Sequence, residues 1–310
     1  MGEQAKKIGE KLEGFGEKLF TQLGWTELTR DKEIKCQRVS HIKRTHGIDI
    51  MLKFFDPYSN GMQGIIVECK NRQMKSITQT EIDKWVNELI SNIECAQSAP
   101  ELSDVQFGDA SLNTGLLLIH ANDKFDPVIF NGYLKKLTIH NRRNPINIYI
   151  ANNDQINMWK SLLDKIAIGY SNNNFHFVYP SVNNSSKELT SYLTINSLYS
   201  KYIFAQNTYG IDNGTPFPTP CAQSIMFIFD DITTATFQYL WSMFKYYQLE
   251  GTDEYVFIFY PRKPSDSQYV KENFISTLRS IDNPIDAQTA HKIKIDFLDN
   301  RALSPIDTTR

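Results

Sequence analysis

Glu68, Cys69 and Lys70 close a short apolar run, Ile65-Ile66-Val67, and Asp49 lies nineteen residues before Glu68. An extended strand alternates faces with a period of two, so Glu68 and Lys70 share a face with Ile66 while Ile65, Val67 and Cys69 take the other. A carboxylate beside an ammonium at a strand end, with a second acid delivered by the preceding strand, makes a place to hold a divalent cation and a water. Asp49 and Glu68 would supply carboxylate oxygens and the Cys69 backbone carbonyl a third, the donor type that a hard cation such as Mg²⁺ or Mn²⁺ takes. Such a cation acidifies water and stabilises charge on a phosphate, and Lys70 can position that water or help deprotonate it. These are the requirements of phosphodiester hydrolysis. Glu-x-Lys alone is a common tripeptide, and a solvent-facing strand is its plain alternative; the elements around it carry the weight.

Those elements can be read from periodicity. Ile8, Leu12, Phe15, Leu19 and Leu23 recur at helical spacing over residues 5–23, and Gly24 stops that helix. A first strand is expected at 33–40 and a second at 47–55, with Asp49, Met51, Lys53 and Phe55 on one face. Pro57 to Gly61 is a turn, and 63–70 is the strand that carries the motif. Thr78 or Thr80 can cap a helix running to about Cys95, with Ile82, Trp85, Val86, Leu89, Ile90 and Ile93 as its apolar stripe. Gly115–His120 reads as a buried strand. Helix, three strands, helix and strand make an α/β sandwich on a mixed sheet.

Further on, strands are expected at 146–150 and 175–179, with a helix through Ile156, Trp159, Leu162, Leu163 and Ile166 between them. Residues 181–222 change character: Asn183 to Ser186 and Gly210 to Pro220 are loop-rich, and 187–205 reads as a helix joining two parts. The expected organisation is therefore a first domain at 1–180, a connecting segment at 181–222 and a smaller α/β domain at 223–310. The last part follows a β-α-β-α-β pattern with parallel strands (225–229, 255–260 and 292–297) and helices at 233–247 and 268–280.

The chain has 310 residues, 41% hydrophobic and 22% charged, enough to bury one large core or two medium ones. No apolar run approaches the ~20 residues of a membrane span, and the amphipathic, charged beginning does not read as a secretory signal. Cys36, Cys69, Cys95 and Cys221 have no paired metal-type spacing, which points to a reduced cytoplasmic protein. The net charge of −2 argues against coating nucleic acid by charge alone. Residues 31–80, however, hold nine Lys and Arg against five acids. Within and beside that excess, Lys43, Arg44, Arg72 and Lys75 are the candidate nucleic-acid contacts, with Gln73 next to them.

Other residues have simpler readings. His46 could meet a phosphate or pack at a strand start. His120, Asn122 and Asp123 end a strand, where a turn suffices. Asp230-Asp231 ends an apolar strand, and helix capping before Thr233 accounts for it. No phosphate-binding glycine loop, zinc spacing or nucleophile elbow is visible.

The order Gly9-Glu10-Lys11-Leu12-Glu13 with Leu23-Gly24-Trp25, then Gly47-Ile48-Asp49, then Val67-Glu68-Cys69-Lys70-Asn71, then the helix from Ile77 to Trp85, resembles the PD-(D/E)xK nuclease superfamily. This is the fold of many restriction endonucleases and Holliday-junction resolvases. The resemblance spans residues 5–120. It implies a restriction-endonuclease-like sandwich, Asp49 and Glu68 as metal ligands, Lys70 as the catalytic lysine and Glu13 as a helix acid reaching toward the metal, with Glu17 its competitor. It also implies a Mg²⁺-dependent endonuclease acting on DNA rather than RNA, dimerisation or a companion subunit, and membership of an anti-phage system. A catalytically silent binding module of the same fold, or a nuclease gated by a ligand sensed in the C-terminal domain, are the alternatives.

Overall fold

The structure, a computed structural model, describes residues 3–103, 110–139, 145–170, 174–182, 185–214, 217–281 and 284–300. It divides into two compact units, Met1–Asn157 and Met158–Arg301.

The first unit opens with α1 (Glu3–Gln22). Leu12, Leu19, Phe20 and Leu23 are buried along it; the side chains before Leu12, Ile8 among them, lie outside the described residues. Gly24 takes φ +82°, the left-handed turn that ends a helix and that a Cβ would strain. Then follow β1 (Thr26–Lys35), β2 (Thr45–Asp56) and β3 (Gly61–Arg72). After them come α2 (Gln79–Ala96), β4 (Ser111–Ala121), α3 (Pro127–Leu134) and β5 (Asn147–Ala151). Thr78 caps α2, its side chain accepting from the Glu81 amide. The sheet order is β1-β2-β3-β4-β5. The β1–β2 and β2–β3 pairs are antiparallel, and β3–β4 and β4–β5 are parallel, which makes the sheet mixed.

Each face of the sheet receives a helix. Gly16 of α1 faces Ile50 and Leu118. On the other face Trp85, Val86, Leu89, Ile90 and Ile93 of α2 pack with Met51, Ile66, Leu117 and Ile119. Each fully buried aliphatic side chain here contributes about 1.5–3 kcal/mol. The first strand ends five residues short of its expected span: β1 stops at Lys35. It is an edge strand with Ile34 as its one buried residue, so it lacks the alternation by which strands are read.

In the second unit α4 (Asn153–Gly169), which spans the division, leads to β6 (Phe175–Val182), β7 (Ser185–Thr190), α5 (Ile195–Leu198), β8 (Tyr202–Ile211) and β9 (Thr219–Ile228). The chain continues through α6 (Thr234–Tyr246), β10 (Glu254–Phe259), α7 (Pro264–Ser280), α8 (Ala287–Lys292) and β11 (Ile293–Phe297). The sheet order is β11-β10-β9-β8-β6-β7. As expected, β9, β10 and β11 are parallel. Phe237, Phe244 and Phe274 of α6 and α7 pack on Phe257 and Phe259.

The segment at 181–222 differs from its reading. Instead of a connection with a joining helix over 187–205, it holds β7, the four-residue α5, β8 and the start of β9. The reason is pairing: β8 lies between β6 and β9, antiparallel to both. The loop-rich runs supply Ser185 and Ser186 to β7, Gly210 and Ile211 to β8 and Thr219 and Pro220 to β9, while Asn183, Asn184, Thr215 and Pro216 lie outside the described residues. The contact boundary accordingly falls at Asn157/Met158, and the second unit is close in length to the first.

Candidate active site

Asp49 on β2 and Glu68 and Lys70 on β3 meet where these central strands run side by side. Asp49 Oδ2 accepts from the Cys69 amide at 2.8 Å, which fixes the carboxylate against the backbone of the motif strand. Lys70 Nζ donates to Glu68 Oε1. Asn92 on α2 donates Nδ2 to the Gly47 carbonyl at 2.8 Å and lies 3.4 Å from Glu68 Oε2. One amide thus ties helix, Asp49 strand and Glu68 together. Sequence reasoning does not single out Asn92, although a polar residue one turn after Leu89 and beside Ile93 on a buried stripe is a readable signal.

The electrostatics follow from burial. Glu68 is 7% exposed. Its carboxyl is pushed up to about 7 chiefly by burial, with Lys70 opposing and Asp49 adding to the rise. Burial likewise raises Asp49 against the pull of Lys70. Lys70 is itself shifted upward: burial would lower it, but Glu68 and Asp49 outweigh that, so it stays an ammonium. Two carboxylates held in low dielectric with one cation between them leave an excess of negative charge that a divalent cation would neutralise. The donor set, two carboxylates with the Cys69 carbonyl beside them, suits a hard oxygen-seeking ion.

Glu13 and Glu17 on α1 part company. Glu17 Oε1 lies 2.8 Å from Arg30 Nη2, which also pairs with Glu27, whereas the charge of Glu13 acts on the Cys69 thiol. Glu17 is thus engaged by Arg30, and Glu13 is an α1 acid whose charge is felt at the motif strand.

Among the basic candidates, Lys43 is bound to Glu88 at 2.6 Å, and Arg72 donates Nη1 to the Asn71 carbonyl at 3.2 Å. Arg44 and Lys75 are exposed. Arg72 and Lys75 flank a turn pinned by Asn122 and Asp123: the Asn122 amide donates to the Arg72 carbonyl (2.8 Å) and the Met74 amide to Asp123 Oδ1 (2.7 Å).

His120 is a buried partner of Asn71 (Nδ1 to Oδ1 3.1 Å), and burial lowers it to about 4. His46 does not face outward toward a phosphate; it is 3% exposed and sits among Cys36, His41 and Cys95. Asp230 caps no helix: it accepts from Lys201 Nζ (2.7 Å) and Tyr202 Oη (2.6 Å), while Thr233 caps α6. In the second unit a cleft of about 510 Å³ is lined in part by Lys165, Tyr170, Tyr209 and Lys294. Its lysines are engaged by Asp296 (2.6 Å) and Glu254 (2.5 Å), which leaves little free positive charge for an anionic ligand.

No helix among the described residues is long and apolar enough to cross a membrane. Comparison with curated proteins finds no match. A family model, the GAPS4 protein PD-(D/E)XK nuclease domain, matches residues 1–155, which contain the whole Asp49–Glu68–Lys70 arrangement. Mixed sheet, flanking helices and family match agree, and the chain belongs to the GAPS4 PD-(D/E)XK nuclease domain family.

Proposed function

We propose that the first unit is a DNA endonuclease that uses Mg²⁺, or Mn²⁺ in its place, and serves as the nuclease subunit of a cytoplasmic anti-phage system. The observation that carries this reading is a half-buried Asp49 and a buried Glu68 beside Lys70 on adjoining strands of a nuclease-family domain. Asp49, Glu68 and the Cys69 carbonyl would hold the cation. When bound, that ion supplies Lewis acidity toward water and charge stabilisation for the phosphate. The Cys69 amide orients Asp49, and Asn92 and Lys70 orient Glu68. Lys70, kept protonated by its two acids, positions water and offsets developing negative charge rather than accepting a proton. Glu13 approaches from α1 as the helix acid. Lys43, Arg44, Arg72 and Lys75 contact the phosphate backbone. The small net charge suits an enzyme that grips DNA as a dimer or with a companion subunit, and the second unit recognises that partner or a ligand.

The test is cleavage of supercoiled plasmid, linear duplex, single-stranded DNA and RNA with Mg²⁺, with Mn²⁺ and with chelator. The expected result is cation-dependent cutting of DNA that falls at least about a hundredfold in Asp49→Ala and Lys70→Ala, the loss that follows when a positioned catalytic group is removed. Cutting that persists undiminished in Lys70→Ala would overturn the assignment, and cutting of RNA with DNA spared would overturn the substrate.

A further inference from the structure

Cys36, His41, His46 and Cys95 are brought together by three elements. Cys36 follows β1, His41 lies in the loop to β2, His46 is in β2 and Cys95 ends α2. Each offers one ligand atom, and all four atoms lie within 4.8 Å of one another. The two sulfurs are 3.7 Å apart, and His41 Nδ1 is 3.4 Å from each of them. Tetrahedral zinc, with bonds of about 2.3 Å to sulfur and about 2.0–2.1 Å to nitrogen, sets sulfur–sulfur and sulfur–nitrogen separations of about 3.8 and 3.5 Å. The spacings among Cys36, Cys95 and His41 match that tetrahedron, and His46 is the fourth ligand within 4.8 Å of them.

The surroundings prepare the ligands as well. His41 Nε2 is 2.9 Å from Glu94 Oε2. A carboxylate accepts only from an N–H, so Nδ1 carries its lone pair toward both sulfurs, the outer-shell arrangement that orients a metal-binding imidazole. The Gln37 amide donates to Cys95 Sγ (3.3 Å) and the Arg38 amide to Cys36 Sγ (3.4 Å), which stabilises thiolate charge. His46 is 3% exposed, and among the described residues its Nε2 finds no hydrogen-bond partner. An orphaned buried imidazole nitrogen is costly unless something else engages it.

We propose that Cys36, His41, His46 and Cys95 form a structural zinc site, separate from the nuclease centre. Two thiolates and two imidazoles are the soft-to-borderline donors that select zinc over Mg²⁺, and four protein ligands make a closed, structural site. Its position gives it a purpose. It staples the loop that carries Lys43 and Arg44 to the end of α2, and it holds β2 three residues before Asp49. Asn92, one turn before Cys95 on the same helix, bonds the Gly47 carbonyl next to His46. The staple therefore fixes the register between the helix and the Asp49 strand.

The test is metal analysis of the full chain purified under reducing conditions without chelator. Expected are one zinc per chain, retained in Asp49→Ala and Glu68→Gln but lost in Cys36→Ser and Cys95→Ser, and a Tm that falls by several degrees when a strong zinc chelator strips the wild type. Because a cysteine variant can fail to fold, cobalt substitution of the wild type is the second measurement. It should give the intense visible bands of a tetrahedral thiolate site. Substoichiometric zinc unchanged by Cys36→Ser, a wild-type cobalt spectrum without thiolate or tetrahedral bands, or a Cys36–Cys95 disulfide in metal-free reduced-handled protein would each overturn the proposal.

Discussion

Glu68 is the residue on which charge, burial and chemistry converge. Its folded carboxyl is raised from 4.5 to about 7, so its contribution to stability is complete below 4.5 and is lost as pH rises through 7. Without added divalent cation the protein should therefore weaken between pH 5.5 and 8. Glu68→Gln, which cannot ionise, should remove most of that slope, gaining about 1–3 kcal/mol at pH 8 and far less at pH 5.5. Urea denaturation at the two pH values measures it, and an unchanged slope in the variant would reject a buried, raised Glu68. Mg²⁺ should stabilise the wild type more at pH 8 than at 5.5, since the ion competes with the proton for the same oxygens.

Among the elements, α2 does the most positioning. It covers one face of the first sheet, carries Asn92 to the site and ends at Cys95. Its seat on β4 depends on Gly115, where an added Cβ would stand 2.8 Å from Ile93 Cδ1 and 2.9 Å from Leu89 Cγ. Gly115→Ala should cost about 1–3 kcal/mol by overpacking. If the helix shifts to relieve the clash, cleavage should fall too, because Asn92 moves with it. Denaturation and cleavage assays on the same preparation check both effects; a variant as stable as wild type would mean that Leu89 and Ile93 repack freely.

For the whole molecule, a net charge of −2 conceals a segment at 31–80 that carries +4. If Lys43, Arg44, Arg72 and Lys75 each neutralise a phosphate, DNA affinity should fall with a log–log salt slope of about −3 to −4. Arg44→Ala should reduce that slope by about one. Lys43→Ala should change it less, because Lys43 must first leave Glu88. Equilibrium binding across a salt series, on a Lys70→Ala background that does not cut, gives the slopes. A slope near zero would place DNA binding on a companion subunit instead of this face.

Local signals were enough for α1, β2, β3, α2, β4 and β5 of the first unit. Helical spacing located α1 and α2, Thr78 marked a cap, Gly24 a stop, and the order Asp49, Glu68, Lys70 carried the family resemblance that the match over residues 1–155 bears out. Spacing along a chain does not report pairing across it. The edge strand β1 lacks alternation, so spacing does not mark its span, and the polar composition of 181–222 conceals strands whose identity rests on partners in β6 and β9. The ion pair that engages Glu17 on α1 with Arg30 on β1 is likewise a tertiary meeting that spacing does not show. The Cys36–His41–His46–Cys95 cluster draws its fourth member from a helix far along the chain, and no local motif records such a meeting. Periodicity and caps are properties of neighbours in sequence, so the chain displays them by itself. Convergence of distant side chains is a property of packing, and only the folded sheet and its helices decide it.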